Sequence, residues 1–124
     1  MTLKGEGWSA LGEEGVRIEE VLAGIEGSGI MDNLRGWLNH LKQNIDFPVK
    51  AKVIKYEEHK WPLTTGDQVE IVGLEGVEDD IYDIIAEVIA DKDKTEYFVP
   101  LCELETNEEK NKSINDYGVW FANL

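Results

Sequence analysis

The first half of the chain carries its apolar residues at helical spacing in two segments. In residues 13–25 they recur every three or four positions, and glutamates stand near the start, where acidic side chains suit the positive end of a helix dipole. Residues 30–41 show a clearer single stripe, made by Ile30, Leu34, Trp37, Leu38 and Leu41. The pattern predicts two helices, the first ended by Gly27 and Gly29 and the second by Phe47-Pro48.

After Pro48 the spacing changes to the alternation typical of strands. Residues 49–53 and 68–71 alternate cleanly, and residues 94–99 do so less regularly. Residues 81–90 are apolar on both faces, which fits a buried strand or a helix, and their β-branched side chains favour a strand. Residues 117–121 are predicted as a last short strand. Turn residues separate these runs at 65–67, 73–76, 91–94 and 106–115.

Together these elements predict an α+β fold, in which N-terminal helices precede a small, strongly bent antiparallel sheet with the form of an SH3-like barrel. Residues 1–28 are interpreted as an N-terminal extension with a short helix, whose Trp8 docks on the rest of the protein. Residues 29–124 then form the main domain. The helix over residues 30–41 is expected to cover part of the sheet, and Trp37 and Trp120 are expected to lie in the core.

The composition fits a single globular domain, since 42% of the 124 residues are hydrophobic. The only cysteine, Cys102, has no partner for an internal disulfide and is expected to be a small buried residue. No segment approaches the roughly 20 consecutive apolar residues that a membrane span requires. We therefore expect a soluble, cytoplasmic protein with no membrane partner.

The charge of the chain is its strongest indication of function, because 12 basic and 26 acidic side chains leave a net charge of −14. Such a surface repels phosphates, so nucleic acid is excluded as a partner. The acidic residues are concentrated in the second half, and residues 63–91 contain nine of them without any Lys, Arg or His. A stretch of this kind repels itself unless cations neutralise it.

The densest acidic segment is residues 75–83, which places five carboxylates in nine residues: Glu75, Glu78, Asp79, Asp80 and Asp83. Calcium takes six to eight oxygen ligands and needs no nitrogen or sulfur, so this segment is the first candidate for a calcium site. From the residues alone, a solvated loop that keeps the protein soluble is the simpler explanation.

Two further places carry candidate ligands. Asp91-Lys92-Asp93 begins like an EF-hand loop, but the sixth and twelfth positions are Glu and Cys where that loop has Gly and Glu. An ordinary hairpin turn is therefore favoured, from which Asp93 can still reach a neighbouring site. Glu103, Glu105 and Asp116 flank the last loop and can complete a coordination sphere if strands bring that loop near the acidic segment. Charged edges on outer strands are the simpler explanation for them.

Signatures of catalysis are missing from the sequence. His40 and His59 do not form a pair with the spacing of a zinc site. The chain also contains no recognisable Ser-His-Asp signature and no glycine-rich phosphate loop. The protein is therefore expected not to be an enzyme.

Four short segments resemble a known family. They are Phe-Pro-Val-Lys-Ala at 47–51, Pro-Leu at 62–63 followed by Gly-Asp-Gln-Val at 66–69, Val-Pro-Leu-Cys-Glu-Leu-Glu at 99–105, and Tyr-Gly-Val-Trp-Phe-Ala-Asn at 117–123. In this order they are similar to the small acidic calcium-binding proteins of cyanobacteria and their prokaryotic relatives. The resemblance covers about residues 30–124. Two positions depart from it: Asp83-Ile84 stands where relatives tend to have glycine, and the last residue is Leu124 instead of a basic one.

The resemblance implies calcium binding through surface charge without EF-hands, and a role as a cytosolic calcium buffer or sensor. Calcium is then the expected ion. The candidate ligands are Glu75, Glu78, Asp79, Asp80, Asp83, Asp93 and Asp116. The alternative function is an acidic protein-interaction module that docks on a basic protein partner, because the same field attracts surfaces rich in Lys and Arg.

Overall fold

The computed structural model describes residues 7–54, 63–78 and 83–124, and these form three α-helices and five β-strands. The α+β class predicted from the sequence is confirmed. The elements are α1 (Glu13–Ala23), α2 (Ile30–Asn44), β1 (Val49–Val53), β2 (Gln68–Glu78), β3 (Asp83–Ala90), β4 (Glu96–Pro100), β5 (Leu104–Thr106) and α3 (Ser113–Ala122). Short 3-10 helices lie at Trp8–Leu11, Leu101–Glu103 and Glu109–Asn111.

The strands form one antiparallel sheet in the order β4-β3-β2-β1-β5. The sheet is open, with β4 and β5 at opposite edges, so the SH3-like barrel expected from the sequence is not confirmed. A barrel needs its two edge strands to pair, and after β5 the chain leaves the sheet and forms α3. The predicted β-branched strand over residues 81–90 is confirmed for Asp83–Ala90, which form β3, while residues 81 and 82 lie outside the described part of the chain.

Strand β2 is longer than its alternation predicted. It continues to Glu78 through residues 73–76, for which the sequence analysis predicted a turn. Its register with β3 shifts between Ile71 and Gly73 and again between Leu74 and Gly76. Gly76 has a φ of 153°, which favours glycine. The glycines therefore mark bulges that bend the strand without ending it.

The last element was predicted wrongly, because residues 117–121 are not a strand. They belong to α3, which buries Ile114, Tyr117 and Trp120 at intervals of three residues. Aromatic and β-branched side chains in this segment favour a strand, but the buried residues are spaced so that they lie on one face of a helix. Burial of that face outweighs the strand propensity. The fifth strand is instead β5, which pairs with β1.

Helix α2 packs on β2 and β3, α3 packs on β5, and α1 packs on α2 and α3, so that the helices and the sheet share one core. Trp37 of α2 lies 5.7 Å from Tyr117 and 5.9 Å from Trp120 of α3, measured between ring centroids. Trp8 and Ile18, which precede residue 28, are fully buried in the same core. The domain boundary after residue 28 stays a prediction, and the docking of Trp8 is confirmed.

The burial of single side chains was predicted correctly for the tryptophans but not for the cysteine. Trp37 and Trp120 are fully buried as predicted, whereas Cys102 is only half-buried. In the described part of the chain, no helix has both the length and the apolar character needed to cross a membrane.

Replacement of Trp120 by Ala should destabilise the fold by roughly 3 kcal/mol or more, because it removes a fully buried aromatic side chain from the contact between α2 and α3. Urea unfolding measures this loss. The matched control is Phe98→Ala, since Phe98 is an aromatic residue with 39% of its surface exposed, and it should change stability far less. Equal losses for the two variants would contradict the core position of Trp120.

Candidate functional site

The acidic segment of residues 75–83 runs from the end of β2 into the start of β3. Glu75 and Glu78 lie on β2 with their side chains exposed, and Glu78 is the register partner of Asp83 on β3. Asp79 and Asp80 lie outside the described residues. Of the five carboxylates predicted here, the structure therefore places Glu75 and Glu78 on the surface beside the connection between β2 and β3.

Asp83 points into the protein instead. Only 1% of its surface is exposed, and its Oδ1 accepts hydrogen bonds from the hydroxyl of Tyr117 (2.5 Å) and from the backbone N–H of Ile84 (2.8 Å). Burial raises the pKa of Asp83, and hydrogen bonds from Cys102 and Tyr117 oppose this rise. The Asp83 carboxylate therefore attaches the beginning of β3 to α3.

Asp93 lies in the hairpin turn between β3 and β4, as the sequence predicted for residues 91–94. Its Oδ1 accepts from the backbone N–H of Thr95 (3.0 Å), and its Oδ2 accepts from the hydroxyl of Tyr97 (2.7 Å). The bond from Tyr97 and then that from Thr95 lower the pKa of Asp93. The local turn thus engages both carboxylate oxygens.

Asp116 is also engaged, on the helical side of the molecule. It is 2% exposed and receives two hydrogen bonds from the guanidinium of Arg17, at 2.8 and 2.9 Å. This bidentate pair joins α1 to α3. Of the other acidic residues that flank the last loop, Glu105 lies 3.3 Å from Lys52, and Glu103 is buried. The structure therefore places Asp83, Asp93 and Asp116 in three different local environments.

A group of carboxylates on three neighbouring strands joins Glu75, a predicted ligand, with Glu87 and Glu96, which the sequence did not indicate as candidates. A proton shared with Glu96 of β4, then burial, and then the charges of Glu96 and Glu75 raise the pKa of Glu87 on β3. Glu87 lies across from Gly73 in β2, whose missing side chain leaves room for it. The signal in the sequence is a lone glutamate inside an apolar strand, but only the strand register shows which carboxylates surround it.

The described residues alone do not complete a metal site. Within residues 7–54, 63–78 and 83–124, no three His, Cys, Asp or Glu side chains are grouped so that they could hold a metal ion. The donors beside the β2–β3 connection, Glu75 and Glu78, are carboxylate oxygens, which are hard ligands that suit calcium. A coordination sphere at this place needs more oxygens than these two side chains supply.

Comparison with known proteins decides the family. A family model described as calcium binding, named for CcbP, matches residues 18–121. The chain belongs to the CcbP calcium-binding family. This family is defined by calcium binding and is not an enzyme family, and its identification confirms the resemblance found in the sequence.

Two solved structures share the CcbP fold with this chain. The crystal structure of Anabaena CcbP is 21% identical, with a TM-score of 0.65 over 86% of this chain and 89% of that one. A calcium-binding protein in its calcium-binding form is 22% identical, with a TM-score of 0.65 over 87% and 90%. At these identities the structures establish the fold alone. No curated protein matches the sequence.

The contact between Asp83 and Tyr117 should be worth more than an ordinary surface hydrogen bond. Tyr117→Phe leaves a buried carboxylate with one partner fewer, which should cost about 1–3 kcal/mol. The same change should cost less in an Asp83→Asn background, because the buried charge is gone. Urea unfolding of the four proteins in this cycle measures the coupling, and strictly additive effects would contradict it. Tyr97→Phe, which removes the bond to exposed Asp93, is the control and should cost less.

Repulsion between Glu87 and the neighbouring carboxylates should make the stability of the fold depend on pH. Because the folded state raises the pKa of Glu87 above 4.5, ionisation of this residue lowers stability as the pH rises through the folded value. Glu87→Gln should therefore be more stable than the parent protein at neutral pH. The difference should disappear in acid, where Glu87 is protonated in both the folded and the unfolded state.

Denaturant midpoints over a pH series test this prediction. The control is Glu105→Gln, which removes a carboxylate that faces Lys52 and should not stabilise the fold. A stabilising effect of both variants at neutral pH would show a general response to net charge instead of local repulsion at Glu87.

Proposed function

We propose that this chain binds calcium at the connection between β2 and β3. Membership of the CcbP family over residues 18–121 is the observation that carries the proposal. The place is supported by Glu75 and Glu78, two exposed carboxylates at the end of β2 in the part of the sequence that contains no basic residue. The candidate ligands in this segment are Glu75, Glu78, Asp79 and Asp80.

The environment of Asp83 gives it a different role in the proposal. Its carboxylate is buried and hydrogen-bonded by Tyr117, so recruitment to calcium would require the loss of that bond. We assign Asp83 as the residue that attaches the acidic segment to α3. Asp93 and Asp116 are not needed for this site, because the Thr95–Tyr97 turn and Arg17 respectively engage them.

An open surface site of this kind should bind calcium weakly. Two exposed glutamates on a strand end leave several coordination positions to water, and sites with few rigid ligands fall in the weaker range for calcium. We expect dissociation constants from micromolar to sub-millimolar. Such an affinity suits a cytosolic calcium buffer or sensor, which is the role proposed for the protein.

Buffer and sensor differ in whether calcium changes the rest of the fold. Asp83 connects the acidic segment to Tyr117, whose ring lies 5.8 Å from that of Trp120. A calcium-dependent rearrangement would therefore reach the aromatic cluster and alter tryptophan fluorescence. A sensor should show this change, whereas a buffer should bind calcium with an unchanged spectrum.

Titration calorimetry with calcium in 0.15 M KCl and excess magnesium tests the site. Calcium held by converging ligands should still bind under these conditions, whereas diffuse attraction is screened within a Debye length of about 8 Å. At free calcium 100 times the dissociation constant, the free energy of unfolding should rise by about 2.7 kcal/mol per site. The triple variant Glu78→Gln/Asp79→Asn/Asp80→Asn should lose this gain, while the calcium-free protein becomes no less stable.

The control removes the same charge elsewhere. Glu13→Gln/Glu26→Gln/Glu109→Gln changes three exposed carboxylates outside the sheet and should keep the calcium response. If the site variant keeps a full response as well, the residues 75–83 are not the site. In that case the ligands should be sought among the acidic residues outside this segment.

A further inference from the structure

A groove opens on the helical side of the protein, and none of its lining residues belongs to the acidic segment of residues 75–83. It has a volume of about 620 Å³ and lies between facing residues of α1 and α2, with the start of α3 at one end. The lining positions recur at helical intervals, at 17, 20, 21 and 24 in α1 and its end, and at 32, 35, 36, 39, 40 and 43 in α2. The groove is thus the seam between two helices.

The floor of the groove is fixed by tight contacts. Gly36 allows the side chain of Ile25 to approach so closely that a Cβ at position 36 would lie 2.4 Å from it. At the α3 end, the bidentate pair of Arg17 and buried Asp116 joins α1 to α3. Because these contacts hold the helices in place, the groove is a formed feature of the fold and not a space that side chains can readily close.

Charge in the groove is predominantly negative. Arg17 is neutralised by Asp116, which leaves the carboxylates of Glu20, Glu26 and Asp32 against the guanidinium of Arg35. In the described part of the chain, Glu20, Glu26 and Arg35 form no ion pair. The groove therefore carries a surplus of two negative charges.

His40 does not offset this surplus. Its ring lies edge-on to Trp37, and burial lowers its pKa from 6.5, against the opposing effect of the Asp116 charge. His40 is then neutral at neutral pH. Val21 and Ile25 add apolar surface to the wall, so that the groove offers an apolar strip beside carboxylates.

We propose that this groove is a docking site for a basic segment of a partner protein. At least two Lys or Arg side chains of the segment pair with Glu20, Glu26 and Asp32, and its apolar residues lie against Val21 and Ile25. Charge complementarity favours this occupant, because the surplus of negative charge in the groove repels acidic segments. A groove of this volume is in the range of ligand clefts, and peptides commonly bind in the seam between helices.

The proposal can be tested with a labelled peptide of alternating lysine and leucine. Fluorescence anisotropy in 0.15 M KCl and EDTA measures its binding, and EDTA keeps the result independent of the proposed calcium site. Glu20→Gln/Glu26→Gln should weaken binding about tenfold, since it removes two carboxylates that the peptide needs. Glu70→Gln/Glu96→Gln changes the net charge equally on the sheet and should leave binding nearly unchanged.

A second variant tests the shape of the groove without a change of charge. Asn39 lines the groove and is exposed, so Asn39→Trp should fold normally and obstruct the groove, again weakening binding about tenfold. Urea unfolding of each variant verifies the fold. The proposal is overturned if the parent protein does not bind the peptide, if both glutamine pairs weaken binding equally, or if Asn39→Trp binds as well as the parent.

Discussion

The packing of α3 against α2 and the start of β3 is the constraint on which the rest of the structure depends. Tyr117 carries both parts of it: its ring packs on Trp37 and Trp120, and its hydroxyl donates to buried Asp83. Burial of the aromatic rings supplies the stabilisation, and the hydrogen bond fixes where β3 begins. Because β3 lies beside β2 in the sheet, the same contact positions the ends of the acidic segment.

The sequence predicted those elements in which spacing or residue type favoured one structure. The apolar stripe of α2 indicated a helix, and the β-branched residues of β3 favoured a strand where its apolar pattern fitted either. The failures occurred where two signals compete. Tyr117 and its neighbours are strand formers placed at helical spacing, and the glycines of β2 read as a turn although they form bulges. In both places, contacts distant in sequence decide the outcome, so local propensity cannot reveal it.

The candidate site shows the same limit at the level of single side chains. Composition identified the acidic segment and the family resemblance identified the ion, but neither distinguishes Glu78 from Asp83. One carboxylate is exposed on a strand end, and the other is buried under α3. The proximity of Glu87 and Glu96 depends on the register of β3 with β4, which was unknown before the structure. The fold is therefore needed to decide which carboxylates can bind the ion, whereas the sequence is sufficient to indicate that the ion is calcium.

The open sheet has a consequence for how the protein behaves at high concentration. Strand β4 is an edge strand, and unpaired backbone groups along such an edge are a template for pairing with a second copy of the chain. Exposed Phe98 lies on this strand, and Glu96 carries a negative charge beside it. With a net charge of −14, electrostatic repulsion between two copies opposes such pairing. Neutralisation of that charge, by acid or by bound cations, removes this protection and favours self-association, so the acidity of the protein also serves its colloidal stability.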